Sequence, residues 1–161
     1  MTKFDTVISG GMVVTAADRF RCDVGIRNGR VAALGEGLQG DETIDASGKL
    51  VLPGGIDSHV HIAQPSGDGI VMADDFETGT RSAALGGTTT IMPFCLQDKG
   101  QSLREALKQY HAKAQGECYV DVSFHLIVAD PTESSRILTG IPSRALSASA
   151  LANVRPISPA Q

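Results

Sequence analysis

Val51-Leu52-Pro53-Gly54-Gly55-Ile56-Asp57-Ser58-His59-Val60-His61-Ile62 is the stretch on which the reading of this chain turns. Pro53, Gly54 and Gly55 make a turn that launches a short apolar run, and the run ends in two histidines spaced i, i+2. Side chains alternate between the faces of a β-strand, so His59 and His61 are expected on one face and Val60 on the other. Two imidazoles converging from one rigid strand can grip a single metal ion, at Zn–N distances of about 2.0–2.1 Å. The same alternation places Asp57 on the histidines' face, one step further back. There it either ligates weakly or orients a histidine from behind. A bare His-x-His also occurs on solvated strands with ordinary hydrogen bonds, and the pair alone leaves that plainer reading open.

Downstream of Pro53 the pattern runs strand, helix, strand, helix, strand. Residues 56–62 are the first strand. A loop rich in Gly and Pro, residues 64–71, leads to a helix capped by Asp74 or Asp75. It runs to about Leu85 and ends at Gly86-Gly87. Thr88-Thr89-Thr90-Ile91-Met92 is β-branched and short, a second strand. Ser102-Leu103-Arg104-Glu105 is a capping box, and Leu103, Ala106, Leu107, Tyr110 and Ala114 make one apolar stripe on a helix that ends at Gly116. Residues 119–128 are the third strand. A βαβαβ order calls for parallel strands with right-handed crossovers.

Upstream lies a small antiparallel β unit. Residues 4–8 and 12–15 flank Gly10-Gly11, and residues 43–46 and 49–52 flank Ser47-Gly48. Residues 23–27 and 30–34 flank Asn28-Gly29, a type I′ hairpin turn because both residues tolerate φ > 0. After Asp130-Pro131 the character changes. Residues 134–161 hold no aromatic residue and no Asp or Glu. Small polar residues and Pro favour a low-complexity, disordered tail there. A truncated or frame-shifted coding sequence is the sharper account.

The chain has 161 residues, enough for one domain with a core. It falls short of the roughly 250 residues typical of a (β/α)₈ barrel. A net charge of −4 without a Lys/Arg cluster argues against nucleic acid as a partner. Cys22, Cys95 and Cys118 are far apart and form no disulfide framework, which suits a reducing cytoplasm. The first residues carry no apolar leader, and no apolar run is long enough for a membrane span.

The run Pro53-Gly54-Gly55-Ile56-Asp57-Ser58-His59-Val60-His61 resembles the metal-binding motif of the cyclic amidohydrolases. Two further blocks resemble the dihydropyrimidinase/hydantoinase subgroup, with allantoinase and dihydroorotase further off. One is Ala73-Asp74-Asp75-Phe76-Glu77-Thr78-Gly79-Thr80-Arg81 through Gly86-Gly87-Thr88-Thr89-Thr90. The other is Gly100-Gln101-Ser102-Leu103-Arg104 through Phe124-His125-Leu126-Ile127-Val128-Ala129-Asp130-Pro131. The resemblance covers about residues 3–133. It implies an α/β fold: an N-terminal antiparallel β unit forming part of a sandwich, residues 1–52, then the first βαβαβ part of an incomplete TIM-like (β/α)₈ barrel, residues 53–133. The tail, residues 134–161, lies beyond it.

The resemblance further implies a binuclear metal centre, usually zinc, with His59 and His61 as its first ligands and Asp57 behind them. A metal-bound hydroxide would open a small cyclic amide or ureide, such as a dihydropyrimidine or hydantoin ring, in a cytoplasmic homo-oligomer. The family's remaining ligands are a carboxylated lysine on the fourth strand, two later histidines and a late aspartate. Here the last lysine is Lys113, inside a helix; no histidine follows His125 and no aspartate follows Asp130. Two imidazoles leave zinc under-coordinated. The expectation is therefore a truncated hydrolase, inactive alone. The alternative is a non-catalytic fragment or interaction protein related to dihydropyrimidinase.

Other residues draw plainer readings. His125, between Phe124 and Leu126, reads as a buried histidine satisfied by a neighbour, and His111 as solvated on a helix. Asp74, Asp75 and Glu77 complement a helix N-terminus. Cys95 reads as core. Gly86-Gly87 precedes a strand, and Lys99-Gly100-Gln101-Ser102 lacks the full Walker pattern, so neither is a phosphate loop.

Overall fold

The computed structural model describes residues 3–130, so the tail expected over residues 134–161 lies outside the described residues. The described residues divide into two compact units, one up to Pro53 and one from Gly54 onward. No helix among the described residues is long and apolar enough to cross a membrane.

The first unit holds β1 (Phe4–Ser9), β2 (Met12–Val14), β3 (Arg19–Arg21), β4 (Asp23–Arg27), β5 (Arg30–Gly35), β6 (Gly40–Asp45) and β7 (Leu50–Val51). They form a sheet in the order β5-β4-β1-β6 and a smaller sheet, β3-β2-β7. The β4–β5 hairpin turns on Asn28 and Gly29, with φ of 52° and 69°, as an Asn-Gly pair dictates. The β1–β4 and β2–β3 pairs are antiparallel too.

The expectation of an all-antiparallel unit is corrected at two pairs: β6 runs parallel to β1, and β7 parallel to β2. Neither Gly10-Gly11 nor Ser47-Gly48 closes a hairpin. Both are points where the chain leaves one sheet for the other, and the two crossings run side by side. Ala46 N–H donates to Ser9 O at 2.8 Å, and Met12 N–H to Lys49 O at 3.0 Å. The crossing is tight enough to demand glycine. A Cβ on Gly11 would stand 2.5 Å from Val51 Cγ2 and 3.1 Å from Ala46 Cβ. Strand β3 escapes sequence reading because its turn contains no Gly or Pro. Thr15 closes that turn, its N–H donating to Asp18 O at 2.9 Å.

The second unit holds β8 (Gly55–Val60), α1 (Phe76–Leu85), β9 (Thr88–Leu96), α2 (Leu103–Ala114), β10 (Asp121–Val122) and β11 (His125–Ile127). β9 is central. β8 lies along one edge of it, β10 and β11 along the other, and every pair is parallel. The βαβαβ order is thus realised, with two adjustments. The second strand continues through Pro93 to Leu96, beyond the expected stop at Met92. Proline lacks a donor for the ladder, but Pro93 pairs with Val60 where the β8 register already slips. The third strand breaks at Ser123-Phe124 into two short pieces, and Ser123 N–H bridges the break by donating to Ile91 O at 3.0 Å.

Both helices start where their caps predict. Asp75 caps α1, its Oδ1 accepting from Thr78 N–H at 2.8 Å while Asp75 N–H donates to Thr78 Oγ1 at 3.1 Å. Ser102 Oγ caps α2 by accepting from Glu105 N–H at 3.1 Å. The apolar faces of the helices meet one side of the sheet. Phe76, Ile91, Cys95, Tyr110, Val122 and Phe124 form the centre of that core. Residues alternate along β9, so Ile91, Pro93 and Cys95 are buried while Thr90, Met92, Phe94 and Leu96 are half-buried on the opposite face. That opposite face carries the candidate site.

Candidate metal centre

His59 and His61 stand side by side at the C-terminal end of β8, with ring centroids 5.3 Å apart and planes at 65°. Both rest on Phe94 of β9. His59 meets its ring edge-on at 4.6 Å, and His61 stacks on it at 4.9 Å with planes 12° apart. His125, on β11, stacks on the same ring at 4.8 Å. Phe94 is therefore a floor around which three imidazoles gather. No spacing rule in the sequence links Phe94 to His59, because the parallel pairing of β8 with β9 brings them together. His125 is half-buried rather than buried, and its Nε2 lies 2.9 Å from Ser58 O. A carbonyl only accepts, so that nitrogen carries a hydrogen and ties β11 to the strand bearing the histidine pair.

Asp57 departs from simple alternation. Asp57 pairs with Ile91 and Val60 with Pro93, so β8 spends three steps where β9 spends two. The extra residue is a bulge, and it reverses the facing of everything after it. Asp57 consequently lies on the side of Ile91. It lines a cavity of ≈ 210 Å³ with Val60, Ile62 and Asp74, while the histidines lie with Phe94. Its Oδ1 accepts from the His59 backbone N–H at 3.0 Å. The carboxylate thus pins the bulged backbone and does not meet an imidazole. An Asp two residues before the amide it accepts from is a local turn pattern, legible in Asp57-Ser58-His59 once a bulge is considered.

Past His61 the chain reverses through Ala63, which holds φ = 51°. Its N–H donates to Asp74 O at 3.0 Å, and its carbonyl accepts from Lys113 Nζ at 3.2 Å. This turn brings Gln64 back beneath His61. Gln64 Nε2 donates to Phe94 O at 2.9 Å, and Gln64 Oε1 lies 2.7 Å from His61 Nδ1. Sequence reading assigned Gln64 only to a loop.

Paired imidazoles are a donor set suited to zinc and other borderline metals. The pair fits one corner of such a site. Among the described residues, no group of three or more His, Cys, Asp or Glu is arranged to hold a metal ion. The cysteines do not extend the corner. All three are free; burial pushes the Cys95 thiol up to about 12 and the Cys118 thiol up to about 11. Both are core residues with inert thiols.

His111 also faces the core rather than solvent alone. Its ring stands edge-on to Phe124 at 4.9 Å, and burial lowers its pKa below the ordinary 6.5. A histidine held neutral by folding favours the unfolded state once protonated. Stability should therefore be full above the ordinary imidazole value and decline as pH falls through it. Urea midpoints measured across that range should show the decline in the wild type and less of it in His111→Gln. A variant with an unchanged slope would show that His111 is not the group responsible.

Known proteins resemble this chain over most of its length. A model of the amidohydrolase family matches residues 50–141. The D-hydantoinase of Streptomyces coelicolor is 52% identical over 137 residues, covering 81% of this chain and 29% of that protein. The dihydropyrimidinase of Rattus norvegicus is 41% identical over 129 residues, covering 76% of this chain and 25% of that protein. The solved D-hydantoinase from Bacillus sp. AR9 superposes with a TM-score of 0.74 at 52% identity, covering 80% of this chain and 28% of that one. The chain thus spans under a third of the length of these relatives. A match over more than half of its residues, on a parallel βαβαβ unit whose first strand ends in His-x-His, leads to one conclusion: the chain belongs to the amidohydrolase family, on its hydantoinase and dihydropyrimidinase side.

Proposed function

We propose that this chain supplies the first two metal ligands, His59 and His61, of a hydrolase that opens cyclic amides of the hydantoin or dihydropyrimidine class. The observation that carries the reading is the pair of adjacent imidazoles on Phe94, at the C-terminal end of a parallel strand. Active sites of (β/α) barrels form at that end. A zinc ion held there would supply Lewis acidity toward an amide carbonyl and lower the pKa of water toward ~7.

The chain's own residues prepare the corner. Phe94 backs the pair, lying flat against the His61 ring and meeting the His59 ring edge-on. Asp57 fixes the backbone that aims His59, and His125 fastens Ser58, the residue before it. Two ligands are still too few, because catalytic zinc sites supply three or more from protein. Residues 131–161 contain no His, Cys, Asp or Lys to complete the set. We therefore expect the 161 residues alone to be inactive and to complete a site only with further barrel strands.

The test pairs zinc analysis after dialysis with ring-opening assays on hydantoin and dihydrouracil. Zinc should be lost on dialysis, and turnover should not exceed that of a His59→Ala control. Stoichiometric zinc retained through dialysis, or turnover above the control, would overturn the incomplete-site reading.

A further inference from the structure

We propose that Gln64 is a positioning residue that sets the tautomer and rotation of His61, keeping His61 Nε2 unprotonated and turned outward for a metal ion. The inference deepens the metal-ligand reading and rests on it. Phe94 O is a carbonyl oxygen, an acceptor that can never donate. The Gln64 group 2.9 Å from it must be the amide nitrogen, which leaves the amide oxygen facing His61 Nδ1 at 2.7 Å. An amide oxygen also only accepts. His61 Nδ1 must therefore carry the hydrogen, and in a neutral imidazole the lone pair is then on Nε2. This is the reverse of the tautomer a free histidine prefers in water.

Ring rotation is fixed by the same contacts. His61 lies flat on Phe94, with planes 12° apart, so one ring face is covered. With Nδ1 held by Gln64, the ring cannot flip without breaking a short hydrogen bond. The remaining nitrogen has one direction left to it. Metal-binding histidines are commonly held in this way, by a partner on the non-ligating nitrogen.

Gln64 does not reach His61 by chance of a loose loop. Ala63 sits in the left-handed region, which a residue with a Cβ occupies only when its surroundings hold it there. Here they do: Asp74 O accepts from its N–H, and Lys113 Nζ donates to its carbonyl. A strained residue clamped at both ends, followed at once by a side chain bridging Phe94 and His61, is a built support.

Proton–nitrogen correlation spectra of the histidine side chains test this on the full chain. The sample is kept metal-free and above the pH range where imidazoles protonate. His61 should appear as the Nδ1–H tautomer. Gln64→Leu should move it toward Nε2–H, and Gln64→Glu, which keeps an acceptor oxygen, should hold Nδ1–H. Zinc titrated by calorimetry should bind about 10-fold or more weakly to Gln64→Leu, with affinity largely restored in Gln64→Glu. An Nε2–H tautomer in the wild type, or an unchanged tautomer in Gln64→Leu, overturns the inference whatever zinc does. A tautomer shift with unchanged zinc affinity overturns it as well. Failure of the wild type to bind zinc at all, with the tautomers as expected, overturns the metal reading on which it rests and the proposal with it.

Discussion

Phe124→Ala is expected to cost about 3–5 kcal/mol and to abolish the folded second unit under conditions where the wild type is native. Phe124 is 5% exposed. Three rings close on it edge-on: His111 at 4.9 Å, Phe76 at 6.1 Å and Tyr110 at 6.3 Å. Phe76 opens α1, Tyr110 and His111 lie on α2, and Phe124 itself bridges the break between β10 and β11. One side chain thus joins both helices to the third strand. Removing it takes away the burial energy and leaves a cavity that three elements would have to collapse together to fill. Domains of ordinary stability hold only about 5–15 kcal/mol in total. This unit exposes Ile56 at 69% and Leu85 at 71%, apolar surface that contributes nothing to the total. Urea denaturation followed by circular dichroism decides the matter. Phe124→Leu, which keeps most of the volume, should remain folded with a loss of about 1 kcal/mol. If Phe124→Ala unfolds no earlier than Phe124→Leu, the ring cluster is not what holds the unit together.

What could be read in the sequence was what is decided locally. Asn28-Gly29 turns a hairpin, Asp75 and Ser102 start helices, and the βαβαβ order follows from alternating periodicities, because each depends on residues a few positions apart. What escaped depends on partners far along the chain. The parallel β1–β6 and β2–β7 pairs arise because two distant segments cross between sheets together, which no window of residues reveals. The second strand was expected only to Met92; it runs on through Pro93 because a missing N–H matters in a regular ladder but not where β8 slips. That slip also turned Asp57 away from the histidines. Strict alternation gave the right partners for His59 and His61 and the wrong one for Asp57, because one extra residue lies between them. Gln64 was hidden most deeply: its place depends on the backbone sign at Ala63, on the carbonyls of Asp74 and Phe94 and on the amine of Lys113.

Removing either histidine of the pair should weaken zinc binding by more than about 100-fold, and removing both should weaken it little further. Orienting partners of metal ligands already account for about 10–100-fold, so a ligand itself must exceed that ceiling. The second loss is small because the two imidazoles act as one chelate. His59→Ala leaves a single nitrogen on a flat surface, a donor no better than any exposed histidine, and His61→Ala then has little left to remove. His125→Ala is the informative control. Its ring shares the Phe94 floor, and simple proximity would make it a third ligand. But its Nε2 is committed to Ser58 O, and its place in the structure is as a tie between β11 and β8. It should lower the urea midpoint while leaving zinc affinity within a few-fold of wild type. Calorimetric titration of the four variants distinguishes the cases. Additive losses at His59 and His61 would mean two separate weak sites in place of one. A loss in His125→Ala as large as in His59→Ala would mean that the Ser58 bond breaks on loading, and that the corner described by two imidazoles is in truth built from three.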